Sequence, residues 1–207
     1  MRPQDIEKRS FAIITAELGE RTFPDGVSEV VKRVIHTTAD FDYADSLAFS
    51  PDAVGQAREA LASGATVVTD TNMALAGVNK AALQALGGRA VCYMADGAVA
   101  REAGARGVTR AAVSMEHAAL LDGPLIFAVG NAPTALIRLH ELIAEGAVSP
   151  ALVIGVPVGF VNVVEAKELF IGGQTPYIIA RGRKGGSNVA AAIVNALLYQ
   201  LIEREGF

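Results

Sequence analysis

The stretch PLIFAVGNAPTALIRLHELIAEGAVSPALVIGVP, residues 124–157, contains the pattern that decides the fold. It begins with a short apolar run, continues through a helical pattern near 132–146, and ends in a second apolar run rich in β-branched residues. Strands that are apolar on both faces are typical of parallel sheets covered by helices. The stretch therefore predicts a strand, a helix and a second, parallel strand of one sheet.

The same alternation extends outward on both sides of this stretch. The predicted strands are ATVVTD (65–70), RAVCYM (89–94), PLIFAVG (124–130), ALVIGVP (151–157) and TPYIIA (175–180), and LAFS (47–50) is a candidate edge strand. The predicted helices lie near 3–18, 25–38, 52–63, 79–86, 96–105, 109–121, 132–146, 163–171 and 187–204. Because no linker or repeat interrupts the pattern, we predict a single domain over residues 1–207: a three-layer α/β/α fold with a doubly wound, parallel, five-stranded sheet.

Composition limits the possible functions. Eighteen basic and 22 acidic side chains give a net charge of -4, which does not favour nucleic acid or a membrane surface as a partner. Cys92 is the only cysteine, so the chain has no internal disulfide and no cysteine-clustered metal site. Histidines and acids show no metal-ligand spacing, and we expect neither a metal nor another cofactor. Without a signal-peptide pattern or a long apolar segment, the sequence predicts a cytoplasmic protein.

Polar and glycine residues follow four of the five predicted strands. In an open parallel sheet, ligands bind beyond the carboxyl ends of the strands, where these loops meet. Each loop taken alone is also compatible with an ordinary turn. Together they predict contact with a large polar ligand. The loop residues in question are Asp70, Thr71, Asn72 and Asn79; Gly130 and Asn131; Gly155, Pro157 and Gly159; and Arg181, Arg183, Lys184 and Ser187.

His36 is the best candidate for proton chemistry, within RVIHTTADFDYADSLAFS (33–50). A free imidazole titrates near pH 6.5, so a neighbouring carboxylate or partial burial could adapt it to acid–base work near neutrality. Three acids, Asp40, Asp42 and Asp45, follow it closely. The alternative is a packing or capping histidine whose ring nitrogens are satisfied by local backbone. For His117 and His140, inside helical patterns, a packing or surface role is favoured.

Several long blocks resemble the signature blocks of the precorrin-8X methylmutase (cobalt-precorrin-8 methylmutase) family, in the same order. The opening IEKRSFAIITAEL also fits. The blocks are RVIHTTADFDYADSLAFSP, VVTDTNMALAGVNK, FAVGNAPTALIRL, ALVIGVPVGFVNVVEAKE and TPYIIARGRKGGSNVAAAIVNALL.

This resemblance implies an isomerase of cobalamin biosynthesis that moves a methyl group from carbon 11 to carbon 12 of precorrin-8X, giving hydrogenobyrinate. It also implies a flavodoxin-like fold and a homodimer with substrate near the subunit interface. The substrate is precorrin-8X or cobalt-precorrin-8, and the next enzyme of the corrin pathway is a plausible partner.

The resemblance also assigns roles to individual residues. His36 corresponds to the family's catalytic histidine and is expected to act as general acid. Ser10, Arg33 and Arg110 resemble substrate-contacting positions of the family. We add loop residues at the strand ends as candidate substrate contacts: Thr71, Asn72, Asn131, Gly159 and Lys184.

Two alternatives remain open at this point. A non-catalytic tetrapyrrole carrier would need the same apolar cleft and basic rim. A flavin or nucleotide protein rests on fold analogy alone, and the chain has neither GxGxxG nor the GxxxxGK[ST] loop.

Overall fold

The computed structural model describes residues 3–202, and its centre is a six-stranded sheet. The strands are β1 (Leu47–Phe49), β2 (Thr66–Thr69), β3 (Arg89–Val91), β4 (Leu125–Val129), β5 (Leu152–Gly155) and β6 (Tyr177–Ala180). They lie in the order β1-β6-β5-β4-β2-β3. β1 is antiparallel to β6, and all other neighbours are parallel. The predicted α/β class is confirmed.

Helices cover both faces of this sheet. They are α1 (Pro3–Leu18), α2 (Val27–Thr38), α3 (Tyr43–Ser46), α4 (Ala53–Ala62), α5 (Asn72–Gly77), α6 (Lys80–Ala85), α7 (Gly97–Arg106), α8 (Arg110–Ala119), α9 (Pro133–Ala144), α10 (Val163–Glu168) and α11 (Ser187–Leu198). One apolar cluster joins the sheet to α2, α4, α5, α6 and α11, with α1 packed outside α2. A second joins the opposite face to α8, α9 and α10, and α7 packs on α8. With the sheet in the middle and helices on both faces, the structure has three layers.

The predicted number of five strands is wrong, because LAFS does contribute a sixth strand. β1 is only three residues long, and it is defined by its pairing with β6, in which Leu47 lies opposite Ala180 and Phe49 opposite Ile178. Its antiparallel direction also means that the sheet is not wholly parallel. Such a short strand depends on a partner about 130 residues away, which its own sequence cannot indicate.

Three helical features also differ from the prediction. α3 and α5 lie in segments that the pattern did not assign to helices. The closing helix ends at Leu198, and residues 199–202 form turns; the last two residues of the predicted 187–204 segment lie outside the described residues. Within residues 3–202, no helix has both the length and the apolar character that crossing a membrane requires.

The carboxyl ends of the five parallel strands lie along one edge of the sheet, which we call the carboxyl edge. Its loops are residues 70–71, 92–96, 130–132, 156–162 and 181–186. The segment after α2 reaches the same edge, because Lys184 Nζ lies 2.6 Å from both Asp40 Oδ2 and Asp42 Oδ2. The fold thereby brings the end of α2 to the loops on which ligand contacts are predicted.

Candidate functional site

Asp70 ties together two loops of the carboxyl edge. It follows β2 and is fully buried, and its carboxylate accepts backbone N–H bonds from Gly130 (2.8 Å), Asn131 (2.8 Å) and Ala132 (2.7 Å). Burial raises the pKa of Asp70, and the amide donors partly offset that rise. The carboxylate therefore supports the backbone at the start of α9.

Thr71 and Ser187 connect the first of these loops to the last. Their hydroxyl oxygens are 2.7 Å apart, and Thr71 Oγ1 also accepts the Ala74 N–H at the start of α5. Gly130 lies against the same junction, where an added Cβ would be only 2.7 Å from Ser187 Cα. Thr71, a predicted substrate contact, is therefore engaged in holding the edge together.

His36 lies in the last turn of α2 with its side chain exposed. Its ring stacks on Phe11 of α1, with the centroids 5.3 Å apart and the planes inclined by 22°. Among the described residues, no protein group hydrogen-bonds either ring nitrogen. The alternative of a histidine satisfied by local backbone does not fit this geometry, since the ring is free to reach a ligand.

The three acids that follow His36 in sequence bind basic side chains instead of its ring. Lys184 donates hydrogen bonds to both Asp40 and Asp42, while Arg21 binds Asp45 through both carboxylate oxygens. The hydrogen bond from Lys184 lowers the pKa of Asp40, and the two aspartates raise the pKa of Lys184. Among the described residues, none of the three carboxylates forms a hydrogen bond with the imidazole.

Arg33 and Ser10 lie beside His36 on α2 and α1. The Arg33 guanidinium is between the rings of Phe11 (4.7 Å) and Tyr199 (5.3 Å), and its Nη1 lies 2.6 Å from Glu7 Oε1. The Ser10 hydroxyl donates to the carbonyl of Ile6, 2.9 Å away. Substrate contact by either residue stays a prediction, and for Arg33 it requires the guanidinium to leave or share Glu7.

The other predicted contacts are spread along the carboxyl edge. Asn72 and Asn131 are exposed beside the Asp70 and Thr71 junction. Arg110 is exposed at the start of α8, and the only hydrogen bond of its guanidinium to the described residues is a long one, 3.4 Å to the Met94 carbonyl. Gly159 N–H donates to the Arg183 carbonyl and joins the β5–α10 and β6–α11 loops. These placements are compatible with the predicted roles without testing them.

A group of apolar side chains, which we call the apolar patch, is exposed at the same edge and was not predicted. Phe160 is 80% exposed, Val161 78% and Met73 71%. Arg183 places its guanidinium 5.4 Å from the Phe160 ring. The run GFV after β5 was a usable signal, because successive large apolar residues in a polar loop seldom lack a partner or ligand.

Lys167 of α10 is a further residue that sequence reasoning did not predict. Its side chain is fully buried, and Nζ donates to the carbonyls of Gly182 (2.9 Å) and Lys184 (2.8 Å). Burial lowers the pKa of Lys167 to about 8. The available signal was its spacing, four residues after the buried Val163 and one after Ala166, which places a lysine in an apolar stripe.

The packing histidines agree with their prediction. His117 Nε2 lies 2.8 Å from Glu102 Oε2 on α7, and the His140 ring packs edge-on against Phe170 at 5.6 Å. Neither belongs to the loops of the carboxyl edge, whereas His36 lies four residues before Asp40, which binds Lys184 of that edge.

Comparison with known proteins identifies one family. The family model described as Precorrin-8X methylmutase matches residues 5–200. A cobalt-precorrin-8 methylmutase of Salmonella typhimurium is 48% identical, covering 98% of this chain and 97% of that protein. A precorrin-8X methylmutase of Pseudomonas aeruginosa is 43% identical, covering 94% of each. The crystal structure of a precorrin-8x methyl mutase from Thermus thermophilus is similar with a TM-score of 0.85 at 41% identity, covering 93% of this chain and 95% of that one.

Proposed function

This chain belongs to the precorrin-8X methylmutase family, and we propose that His36 is the general acid of the methyl shift that the family catalyses. The protein is an isomerase of cobalamin biosynthesis. The reaction moves a methyl group from carbon 11 to carbon 12 of precorrin-8X and gives hydrogenobyrinate. Since the methyl group stays within one molecule, no methyl donor is needed.

The role of His36 follows from the electronics of the ring. Protonating a ring nitrogen makes the neighbouring conjugated carbons more electrophilic, which favours migration of the methyl group with its bonding electrons. An imidazolium can supply that proton and recover it when the product forms. The observation that supports this role is the exposed His36 ring, stacked on Phe11 at the carboxyl edge with both nitrogens available.

The surroundings suit a flat macrocycle with a rim of carboxylates. We propose that the apolar patch of Met73, Phe160 and Val161 contacts the conjugated face. Arg183 and Arg110 are exposed, and neither binds a carboxylate among the described residues. Their planar guanidinium groups suit bidentate bonds to the rim carboxylates, which would orient the ring toward His36.

Replacing His36 tests the proposed acid. We expect His36→Asn and His36→Ala to lower kcat by about 10²- to 10⁴-fold with a smaller change in KM, because the proton donor is lost while the other substrate contacts remain. The assay is the change in visible absorption as precorrin-8X is converted. His140→Asn, which changes a packing histidine, is the matched control. Near wild-type kcat in folded His36→Asn would remove His36 from the mechanism.

The same assay separates an isomerase from a carrier. A carrier would shift the absorption bands of bound tetrapyrrole and release an unchanged pigment, whereas an isomerase releases hydrogenobyrinate. Recovery of unaltered precorrin-8X after incubation with the wild-type protein would contradict the assignment.

The substrate class is a precorrin-8 tetrapyrrole, with or without cobalt. Relatives at 48% and 43% identity are named for the cobalt-containing and the metal-free form, respectively. Parallel assays with precorrin-8X and cobalt-precorrin-8 give kcat/KM for each, and the larger value identifies the preferred form.

We also propose a flavodoxin-like arrangement extended by one edge strand, and a homodimer with substrate near the subunit interface. Numbered along the chain, the five parallel strands follow the order 2-1-3-4-5 that describes flavodoxin, which supports the first proposal. The second is supported by Ile6 and Ile13 of α1, which are each about half exposed on the helix that carries Phe11 to His36.

A further inference from the structure

We propose that Lys167 is a positioning residue: by holding the carbonyls on both sides of Arg183, it fixes the β6–α11 loop so that the Arg183 guanidinium meets a rim carboxylate of the substrate. The inference rests on the proposed seating of the tetrapyrrole and adds a residue that does not touch it. Three observations carry it.

The first observation is the isolation of the Lys167 ammonium. It is fully buried, and no carboxylate pairs with it among the described residues. Its two observed acceptors are the backbone carbonyls of Gly182 and Lys184, at 2.9 and 2.8 Å. Burying an ammonium without a counter-ion is unfavourable, and an apolar side chain would fill the same space without that penalty. The buried charge is therefore explained by the two backbone carbonyls that it binds.

The second observation is that the β5–α10 segment holds the backbone of the same loop. The Arg183 carbonyl accepts the Gly159 N–H at 3.1 Å, between the two carbonyls that Lys167 takes. Gly186 N–H donates to the Val156 carbonyl at 2.8 Å, and Gly185 approaches so closely that an added Cβ would be 2.1 Å from Val156 O. Three successive carbonyls are thus held, and they fix the point and direction at which the Arg183 side chain leaves the backbone.

The third observation is that Arg183 is the available cation of this loop. Arg181 has Glu168 at 3.5 Å, and Lys184 has both Asp40 and Asp42 at 2.6 Å. The Arg183 guanidinium lies 5.4 Å from the exposed Phe160 ring and binds no carboxylate among the described residues. Apolar surface and free positive charge therefore occur side by side, as a flat ring with acidic side arms requires.

Kinetics of single and double variants test this coupling. We expect Arg183→Met to raise KM for precorrin-8X by about 10- to 100-fold, because one charge-assisted contact is lost. Lys167→Met should raise KM by a similar factor with kcat within about twofold of wild type, since the proton chemistry at His36 is untouched. The double variant should bind no more weakly than Arg183→Met, because Lys167 acts through Arg183.

Controls separate positioning from stability. Arg58→Met removes a cation that is paired with Asp25 outside the carboxyl edge, and it should leave KM within about threefold of wild type. All assays are run at a temperature where circular dichroism shows each variant folded. If Lys167→Met does not fold, Lys167→Gln, which keeps an amide donor, takes its place and should show a smaller rise in KM.

Two outcomes would overturn the inference. One is a folded Lys167 variant with lowered melting temperature and unchanged KM, which would mean a structural role alone. The other is a double variant whose KM rises by the product of the two single effects. Tetrapyrrole dissociation constants, measured by absorption titration without turnover, keep the test valid if the wild type proves to be a carrier; that result would reject the proposed function and not the coupling.

Discussion

Two buried ionisable side chains, Asp70 and Lys167, hold the loops of the carboxyl edge through backbone atoms. Asp70 takes three amides at the start of α9, and Lys167 takes two carbonyls of the β6–α11 loop. Each binds neutral backbone partners, and these partners would lose their hydrogen bond if an apolar side chain replaced the charged one. At the scale of single residues, their replacement should therefore cost more than surface charges do.

Asp70→Asn should destabilise the protein by roughly 2–4 kcal/mol. An amide offers one acceptor oxygen, and its NH₂ group would face backbone N–H donors, so at least one of the Gly130, Asn131 and Ala132 amides loses its partner. Urea unfolding followed by circular dichroism measures the change. Asp122→Asn, at an exposed aspartate, is the control. An equal, small loss in both variants would contradict the proposed role of Asp70.

The lowered pKa of Lys167 predicts that the stability of the protein depends on pH. Burial lowers its pKa to about 8 in the folded protein, while an unfolded lysine titrates near 10.4. Between these values the unfolded chain binds a proton that the folded chain lacks, so the free energy of unfolding rises with pH over this window. Below about pH 8 both states are charged, and the fold bears the full cost of the buried ammonium.

The measurement is the difference in unfolding free energy between wild type and Lys167→Met from pH 7.5 to 10. Other groups titrate alike in both proteins, so their contributions cancel. The difference should shift in favour of the wild type as pH rises, by at most about 3 kcal/mol. A difference that is flat over this window would contradict the buried, weakened base.

Sequence reasoning selected His36 as a candidate but did not predict the backbone contacts of Asp70 or Lys167, for a physical reason. His36 is followed closely by polar residues within one short segment, so its surroundings are visible locally. The amides that bind Asp70 lie 60–62 residues away, and the carbonyls that bind Lys167 lie 15 and 17 residues away. Only the folded sheet brings these groups together.

At the scale of elements, α1 supports the end of α2. Phe11 stacks on His36, and the same ring lies 4.7 Å from the Arg33 guanidinium, which Glu7 binds one helical turn earlier on α1. These contacts restrict the directions in which the imidazole can point. α1 thus contributes to the candidate site although it packs on the outer side of α2.

Phe11→Ala should therefore lower kcat by about 2- to 12-fold, the equivalent of the 0.5–1.5 kcal/mol typical of an aromatic pair. The physical reason is a wider range of imidazole orientations, which makes the productive one rarer. Steady-state assays with precorrin-8X measure kcat, and the value for Phe11→Leu should lie between those of the wild type and Phe11→Ala. Lys8→Ala, an exposed position of the same helix, is the control; equal kcat in Phe11→Ala and Lys8→Ala would show that the stack does not matter.

The elements themselves were predictable to the extent that their periodicity was local. Every residue of β2, β4, β5 and β6 is buried and most are apolar, which is typical of a sheet that is covered on both faces. α5 was not predictable in this way, because it is six residues long and closely packed on α11. Gly77 shows this constraint, since an added Cβ would lie 2.8 Å from Ala191 Cβ. Such a helix is stabilised by tertiary packing and by the Thr71 cap, not by its own pattern.

At the scale of the whole molecule, α1 presents an apolar surface that the single chain does not cover. Ile6 and Ile13 are seven residues apart, hence on one face of the helix, and are 51% and 50% exposed. The same helix carries Phe11, so an interface formed there would lie near His36. This is the arrangement in which a second subunit could complete the site.

We therefore predict that the wild type sediments at twice the 21.5 kDa of one chain, and that the double variant Ile6→Asp and Ile13→Asp sediments as a monomer. Two carboxylates on an apolar interface would have to be desolvated without partners, which opposes association. Sedimentation equilibrium measures the mass. If subunit contact supports the proposed site, the monomeric variant should also lose activity.

Leu120→Asp gives the matched control for this prediction. Leu120 is 84% exposed at the end of α8, the opposite end from Arg110 and the carboxyl edge, so a charge there should leave both mass and activity unchanged. A monomeric wild type would contradict the homodimer outright. If the double variant of α1 stays dimeric, the subunit interface does not include Ile6 and Ile13. If a monomeric variant is fully active, the active site does not need the second subunit, because His36 then works within one chain.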